Sequence, residues 1–143
     1  MDEGFSEKAK ELMAERFGRD ALIALATVED GEPRVRTVNA YYEDGAFYVI
    51  THALSGKMRQ IAKHRAVAIA GDWFTAQGVG ENKGYIRLAE NAEIARRLRA
   101  VFAAWYDNGH TDETDINTCI LCIHLTKGVL FAQRTRYDID FAR

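Results

Sequence analysis

Proline is nearly missing from this 143-residue chain, where Pro33 stands alone, and cysteine appears only twice. Charge of either sign is not in excess, since 19 Lys+Arg meet 21 Asp+Glu for a formal net charge of −2. No apolar run approaches the roughly 20 residues that a membrane-spanning helix needs. Each shortage closes off a class of protein. A chain without a basic balance lacks the electrostatic footprint of a nucleic-acid binder, so no nucleic-acid partner is expected. The absence of a long apolar run argues against a membrane span. The first residues, MDEGFSEKAKEL, are acidic and amphipathic rather than basic and then apolar, so they do not read as a signal peptide, and a cytoplasmic location is expected.

The two cysteines, Cys119 and Cys122, lie in TCILCIHL, a β-branched, apolar run that reads as strand. Residues three apart on a strand point to opposite faces, so the sulfurs should not meet, and both are expected as buried thiols in a reducing compartment. The histidines at 52, 64, 110 and 124 show no HExxH-type spacing, and no metal site is expected. His124 alternates with Ile123 and Leu125 and reads as a satisfied strand histidine. Ser55 has no GxSxG elbow around it, so a hydrolytic triad does not suggest itself.

What is present fits one globular domain spanning residues 1–143. A helix is expected over 6–17, capped by Ser6, with Ala9, Leu12, Met13 and Phe17 on one face and Gly18 ending it. ALIALATV, at 21–28, is an apolar strand without polar alternation, which predicts cover on both faces. Glu29-Asp30-Gly31 and Asp44-Gly45 are turn signals that make a three-stranded antiparallel meander of residues 21–52. Within its second strand Arg34, Arg36 and Val38 share one face, and Val35, Thr37, Asn39 and Tyr41 the other. A short helix follows at 55–64 with Met58, Ile61 and Ala62 inward, then an apolar strand at 66–74. Gly71, Gly78, Gly80 and Gly84 read as barrel-corner glycines rather than a phosphate loop, because their spacing is not GxGxxG. A helix at 91–106 carries Ile94, Leu98, Val101, Phe102 and Trp105 on one stripe, opposite Arg96, Arg97 and Arg99. A polar loop leads to a closing hairpin, 119–125 and 129–132, around Thr126-Lys127-Gly128. Short strands without parallel β-α alternation predict a mainly β protein, an antiparallel barrel with helices outside.

The chemistry concentrates between Pro33 and His64, in PRVRTVNAYYEDGAFYVITHALSGKMRQIAKH. A helix N-terminus presents amide N–H groups and a partial positive charge to an anion. Ser55 at the cap and Lys57 two residues on add a hydroxyl and an ammonium. Arg34 and Arg36 on the neighbouring strand add guanidinium groups, which grip phosphate through paired hydrogen bonds. No side chain is an obvious general acid or base. His52, at a loop mouth, is the histidine nearest this candidate pocket.

Residues 36–64, RTVNAYYEDGAFYVITHALSGKMRQIAKH, resemble the flavin-binding split barrels related to pyridoxamine 5′-phosphate oxidase, with an R-x-V strand followed by T-x-x-x-S-x-K and a helix. The resemblance extends from the first strand to the last hairpin and is to the small bacterial members. It implies an antiparallel six-stranded split barrel that binds FMN at two sites across a homodimer interface. It places cofactor-binding roles on Arg36, Thr37, Val38, Thr51, Ser55 and Lys57, and on Trp73, with Gln77 beside it, reaching the partner's flavin from the next long strand. The function implied is that of an FMN-dependent oxidoreductase taking electrons from a small molecule such as NAD(P)H. A flavin, deazaflavin or haem binding module without turnover is the alternative. Gly56 stands where the family often has arginine, a gap that Arg34 is expected to fill. The C-terminal AQRTRYDIDFAR does not match the substrate segment of the true oxidases.

Overall fold

A computed structural model describes residues 4–109 and 111–142; His110 lies outside them. The chain runs α1 (Glu7–Phe17), β1 (Ala21–Glu29), β2 (Glu32–Glu43), β3 (Ala46–His52), α2 (Gly56–Lys63), β4 (Ala66–Gly71), β5 (Phe74–Tyr85), a 3-10 turn (Ala89–Asn91), α3 (Ala92–Val101), β6 (Thr118–Ala132) and β7 (Thr135–Asp140). All seven strands form one antiparallel sheet in the order β3-β2-β1-β4-β5-β6-β7. Pairing of β3 with β6, from Ala46↔His124 to His52↔Thr118, closes six of them into a barrel. The seventh strand extends β6 outside the closure. This is the split-barrel fold expected from the resemblance, with three helices packed around it.

Period-2 alternation fills the barrel. Ile23 and Leu25, Phe47 and Val49, Val67 and Ile69, Phe74 and Ala76, and Leu121 and Ile123 all point inward into one core. Phe17 of α1 joins them with its ring 5.5 Å from Phe47 and 5.4 Å from Phe74. A second cluster forms outside the barrel, where Ile94, Ala95, Leu98 and Phe102 cover Ile86 and Ile120. Cys119 belongs to the inner core, while Cys122 faces outward beside His124, so the two thiols do lie on opposite faces of β6.

Several expectations need correction. Residues 126–128 make no hairpin, because β6 runs straight through them, pairing Lys127 with both Gln77 and Asp140. The turn lies at Gln133-Arg134, both in the left-handed region, and returns the C-terminal segment as β7. The strand expected at 66–74 stops at Gly71. Asp72-Trp73 is a tight turn in which Trp73 adopts φ 51°. The third helix ends at Val101, and its apolar stripe continues through turns that still bury Phe102. In α2, Ala62 is exposed and Gln60 is the buried residue instead. The outer face of β1 is open within this chain: Leu22 is 63% exposed, and Val35 on neighbouring β2 is 70% exposed.

Two of the glycines answer specific needs. A Cβ at Gly80 would sit 2.8 Å from Ile61 Cγ2, so this position lets α2 lie directly on β5. At Gly78 a Cβ would sit 2.7 Å from the His124 carbonyl oxygen, where β5 slips register against β6.

Candidate functional site

The site grows from the way β2 and α2 meet. Ser55 caps α2, its Oγ accepting from the Met58 amide at 3.4 Å. Lys57, in the first turn of that helix, folds back to donate from Nζ to Thr51 Oγ1 at 2.7 Å. Thr51 sits near the end of β3, four residues before the cap, so a T-x-x-x-S-x-K spacing brings hydroxyl and ammonium together. Arg36 projects from β2 toward β1 and α2. Its Nη1 donates to the Leu25 carbonyl at 3.1 Å and to Thr27 Oγ1 at 2.7 Å, and its Nη2 donates to Gln60 Oε1 at 2.8 Å. Thr27 also donates to Gln60 Oε1, so a buried hydroxyl and a buried amide anchor the guanidinium.

Electrostatically the cluster is one-sided. Burial, and then the nearby Arg36 charge, hold the Lys57 ammonium below the ordinary lysine value of 10.5. Burial lowers Arg36 as well. Neither cation reaches a carboxylate among the described residues: the hydrogen-bond acceptors just named are a backbone carbonyl, two hydroxyls and an amide, all neutral. Two positive charges held close together on neutral supports are an incomplete arrangement that an anion would complete.

Lys57 opens into a cavity of about 500 Å³ lined by Val38, Asn39, Val49, Ile50, Trp105, Asn108 and Thr111. That volume falls within the range of small-molecule sites, roughly 300–1,000 Å³. Trp105 is fixed there by donating Nε1 to Asp20 Oδ2 at 2.9 Å, while Asn39 Nδ2 donates to Asp20 Oδ1 at 2.9 Å. Among the described lining residues Lys57 is the one ionisable side chain. The arrangement can bind an anionic group at one end and a flat apolar group beside it.

Sequence reasoning placed Arg36, Val38, Thr51, Ser55 and Lys57 in one neighbourhood, and the structure brings all five to the junction of β2, β3 and α2. Thr37 is on the opposite face of β2 and exposed. Arg34 does not fill the gap left by Gly56, since it is taken up by Glu29 at 3.3 Å and Glu32 at 4.0 Å. Trp73 is not on a strand but on the β4–β5 turn, 71% exposed. Gln77 lies on β5 beside a larger cavity of about 720 Å³ that also touches Lys127, Gly128 and Ile139. His52 holds the loop before β6, with Nε2 at 3.0 Å from Asp115 Oδ2. Sequence reasoning missed Thr27, Gln60, Asp20 and Trp105 as site residues. A polar residue on the inward face of α2 was the available signal for Gln60. Nothing local marks the others.

The sequence profile described as pyridoxamine 5′-phosphate oxidase matches residues 8–130. No curated protein matches the chain. Solved structures agree in fold. A FAD-binding protein from Mesorhizobium loti superposes with a TM-score of 0.66 at 14% identity, covering 82% of this chain and 90% of its own. An F420 reductase gives a TM-score of 0.59 at 20% identity, covering 80% of this chain and 94% of its own. A heme binding protein from Mycobacterium smegmatis gives 0.65 at 15% identity, covering 91% of this chain and 55% of its own. With the profile spanning most of the chain, and the split barrel and its cation cluster in place, this protein belongs to the pyridoxamine 5′-phosphate oxidase family.

Proposed function

We propose that the protein is an FMN-binding oxidoreductase that works as a homodimer. The observation that carries this reading is the Lys57–Arg36 pair. Two neighbouring cations meet no carboxylate among the described residues and stand beside the α2 N-terminus, and Lys57 borders a cavity of ring-binding size. A terminal phosphate suits that end, because hydroxyl, ammonium, guanidinium and helix amides all donate toward it. Val38, Ile50 and Trp105 give an apolar and aromatic lining for a ring system. FMN, when bound, supplies the hydride or electron transfer. The chain's own residues bind and orient it. Lys57, the ionisable group among the described lining residues, serves placement of the anionic end.

The dimer reading is supported by the open outer face of the sheet. Leu22 and Val35 expose large apolar side chains there, beside the small residues Ala66, Ala68 and Ala70 of β4. A second copy presenting the same patch would cover it by two-fold symmetry. Trp73, exposed on its turn, is then free to reach a partner's site. The neutral supports of the cation pair also suit a second reading, a binding module that holds flavin, deazaflavin or haem without turnover.

Titration with FMN, followed by flavin absorbance and fluorescence, tests the cofactor. Saturable 1:1 binding per chain is expected, with sharpened visible bands and quenched emission. Addition of NAD(P)H and then an acceptor separates the two readings: bleaching and repeated recovery mark the oxidoreductase, and an unreactive bound flavin marks the module. No binding of FMN at any concentration would remove both the cofactor and the enzyme. Gel filtration of the FMN-loaded protein as a monomer would remove the shared interface.

A further inference from the structure

Three strands place a second group of reactive side chains on the outer face of the barrel. Tyr48 of β3 and Glu81 of β5 stand on either side of Cys122 in the β6 ladder, and His124 follows Cys122 by two residues on the same face. Glu81 Oε1 lies 2.7 Å from His124 Nε2, and His124 Nδ1 lies 4.0 Å from Cys122 Sγ. One donor atom from each of Cys122, His124 and Glu81 can be chosen so that all lie within 4.8 Å of one another. None of the three lines the Lys57 cavity.

We propose that Cys122 and His124 form a binding site for a thiophilic divalent cation of the zinc type, with Glu81 holding His124 in its ligating orientation. The carboxylate fixes the proton on Nε2 and leaves the Nδ1 lone pair turned toward the sulfur. That is the carboxylate–histidine–metal relay by which second partners orient metal-bound imidazoles. Zinc binds sulfur at about 2.3 Å and imidazole nitrogen at about 2.0–2.1 Å, so a single ion spans up to roughly 4.4 Å between them. The 4.0 Å separation here already lies within that span. The remaining positions fall to solvent, which reaches the half-exposed His124 and Glu81, and to the Tyr48 hydroxyl beside the same thiol.

Burial pushes the Cys122 thiol up to about 11. The step is therefore an exchange without redox change. A metal–sulfur bond forms, the sulfur–hydrogen bond breaks, and the proton leaves to solvent. The His124 hydrogen bond, with Lys83 and Arg65 nearby, lowers the Glu81 carboxyl. A thiolate and a carboxylate together balance the charge of a divalent ion. A hydrogen-bonded chain of the same three residues with no affinity for metal is the competing account.

Cobalt(II) titration of the full-length protein decides between them, because thiolate ligation gives a charge-transfer band in the near ultraviolet. A saturable 1:1 band is expected, reversed by equimolar zinc, with about one proton released per ion in weak buffer. His124→Gln changes an exposed side chain and leaves the fold intact; it should abolish the band, as should Cys122→Ser. Glu81→Gln should weaken binding about 10–100-fold, the usual effect of removing such a partner. Cys119→Ser should keep the band. Absence of a band in the folded wild-type protein, or its survival in Cys122→Ser or His124→Gln, would overturn the assignment.

Discussion

Replacing Lys57 by methionine separates a group retained for a ligand from one retained for the fold. The substitution keeps the unbranched apolar stem, one atom shorter, beside Val38, Val49 and Ile50, but removes the charge and the hydrogen bond to Thr51. For stability without ligand the effects oppose each other. Losing a hydrogen bond from a charged donor costs about 1.5–3 kcal/mol. Removing a half-buried ammonium that burial and Arg36 both disfavour returns a similar amount. The net change in unfolding free energy should therefore lie within about 1 kcal/mol of zero, whereas breaking a buried ion pair would cost about 3–5 kcal/mol. For binding nothing offsets the loss. A charge-assisted contact to phosphate is worth about 1.5–3 kcal/mol, so Kd for FMN should rise roughly 10–100-fold. The assay is a urea denaturation curve for each protein without ligand, followed by FMN titration of both. A variant that loses several kcal/mol of stability yet binds FMN like the wild type would refute the reasoning, since Lys57 would then be a structural cation.

Two further changes probe how the site is supported. Glu113 is 13% exposed and holds the loop before β6 by accepting two bonds from Arg99, at 2.8 and 2.9 Å, and others from Arg87 and Tyr106. Led by the Arg99 hydrogen bond, these contacts lower its carboxyl from 4.5 to about 2. After allowance for solvent at the half-exposed arginines, the displacement is worth about 2 kcal/mol. A depressed carboxyl contributes stability that is fully present above its unfolded value near 4.5 and is lost as pH falls toward about 2. Glu113→Gln should thus be destabilised at pH 7, and the gap to wild type should narrow on titration from pH 5 to pH 3; a gap constant across that range would refute the assignment. Gly80→Val should drive α2 off β5, because even the first carbon added meets Ile61 Cγ2 at 2.8 Å. A loss of about 1–3 kcal/mol is expected, together with weaker FMN binding as Ser55 and Lys57 shift. Unchanged melting and binding would show that α2 can slide at no cost.

The three-stranded meander and α1 were legible because each rests on local chemistry. Asp44-Gly45 adopts positive φ at both residues, as a tight hairpin requires, and Ser6 caps α1 with its own side chain. Errors arose where long-range pairing overrode local preference. Thr126-Lys127-Gly128 has turn composition, but β5 on one side and β7 on the other hold it in a ladder. Trp73 lies on a turn and not on the expected strand, and nothing about tryptophan signals a left-handed turn. The apolar stripe of α3 predicted a helix to residue 106, yet Phe102 and Trp105 remain packed after the helix ends at Val101. Burial there does not need helical backbone. Of the site, the motif carried the hydroxyl and cationic groups. It could not show that Arg34 is consumed by Glu29 and Glu32, because charge pairing across a turn depends on side-chain reach.

The supports of Arg36 say more about function than Arg36 itself. Gln60 is buried on α2, where an apolar residue would stabilise the helix–barrel contact more simply. A glutamate at that place would accept the same two hydrogen bonds and neutralise the guanidinium, making a stronger link between β2 and α2. Glutamine keeps the geometry and leaves the charge standing. Thr27 and the Leu25 carbonyl act in the same way, fixing the direction of the fork without cancelling it. Lys57 is likewise anchored to a hydroxyl and not to a carboxylate. A fold that needed only to be stable would not hold two cations close together on four neutral acceptors. One that must present positive charge, already oriented, to an incoming phosphate gains by doing so, because the donors need little reorganisation when the anion arrives.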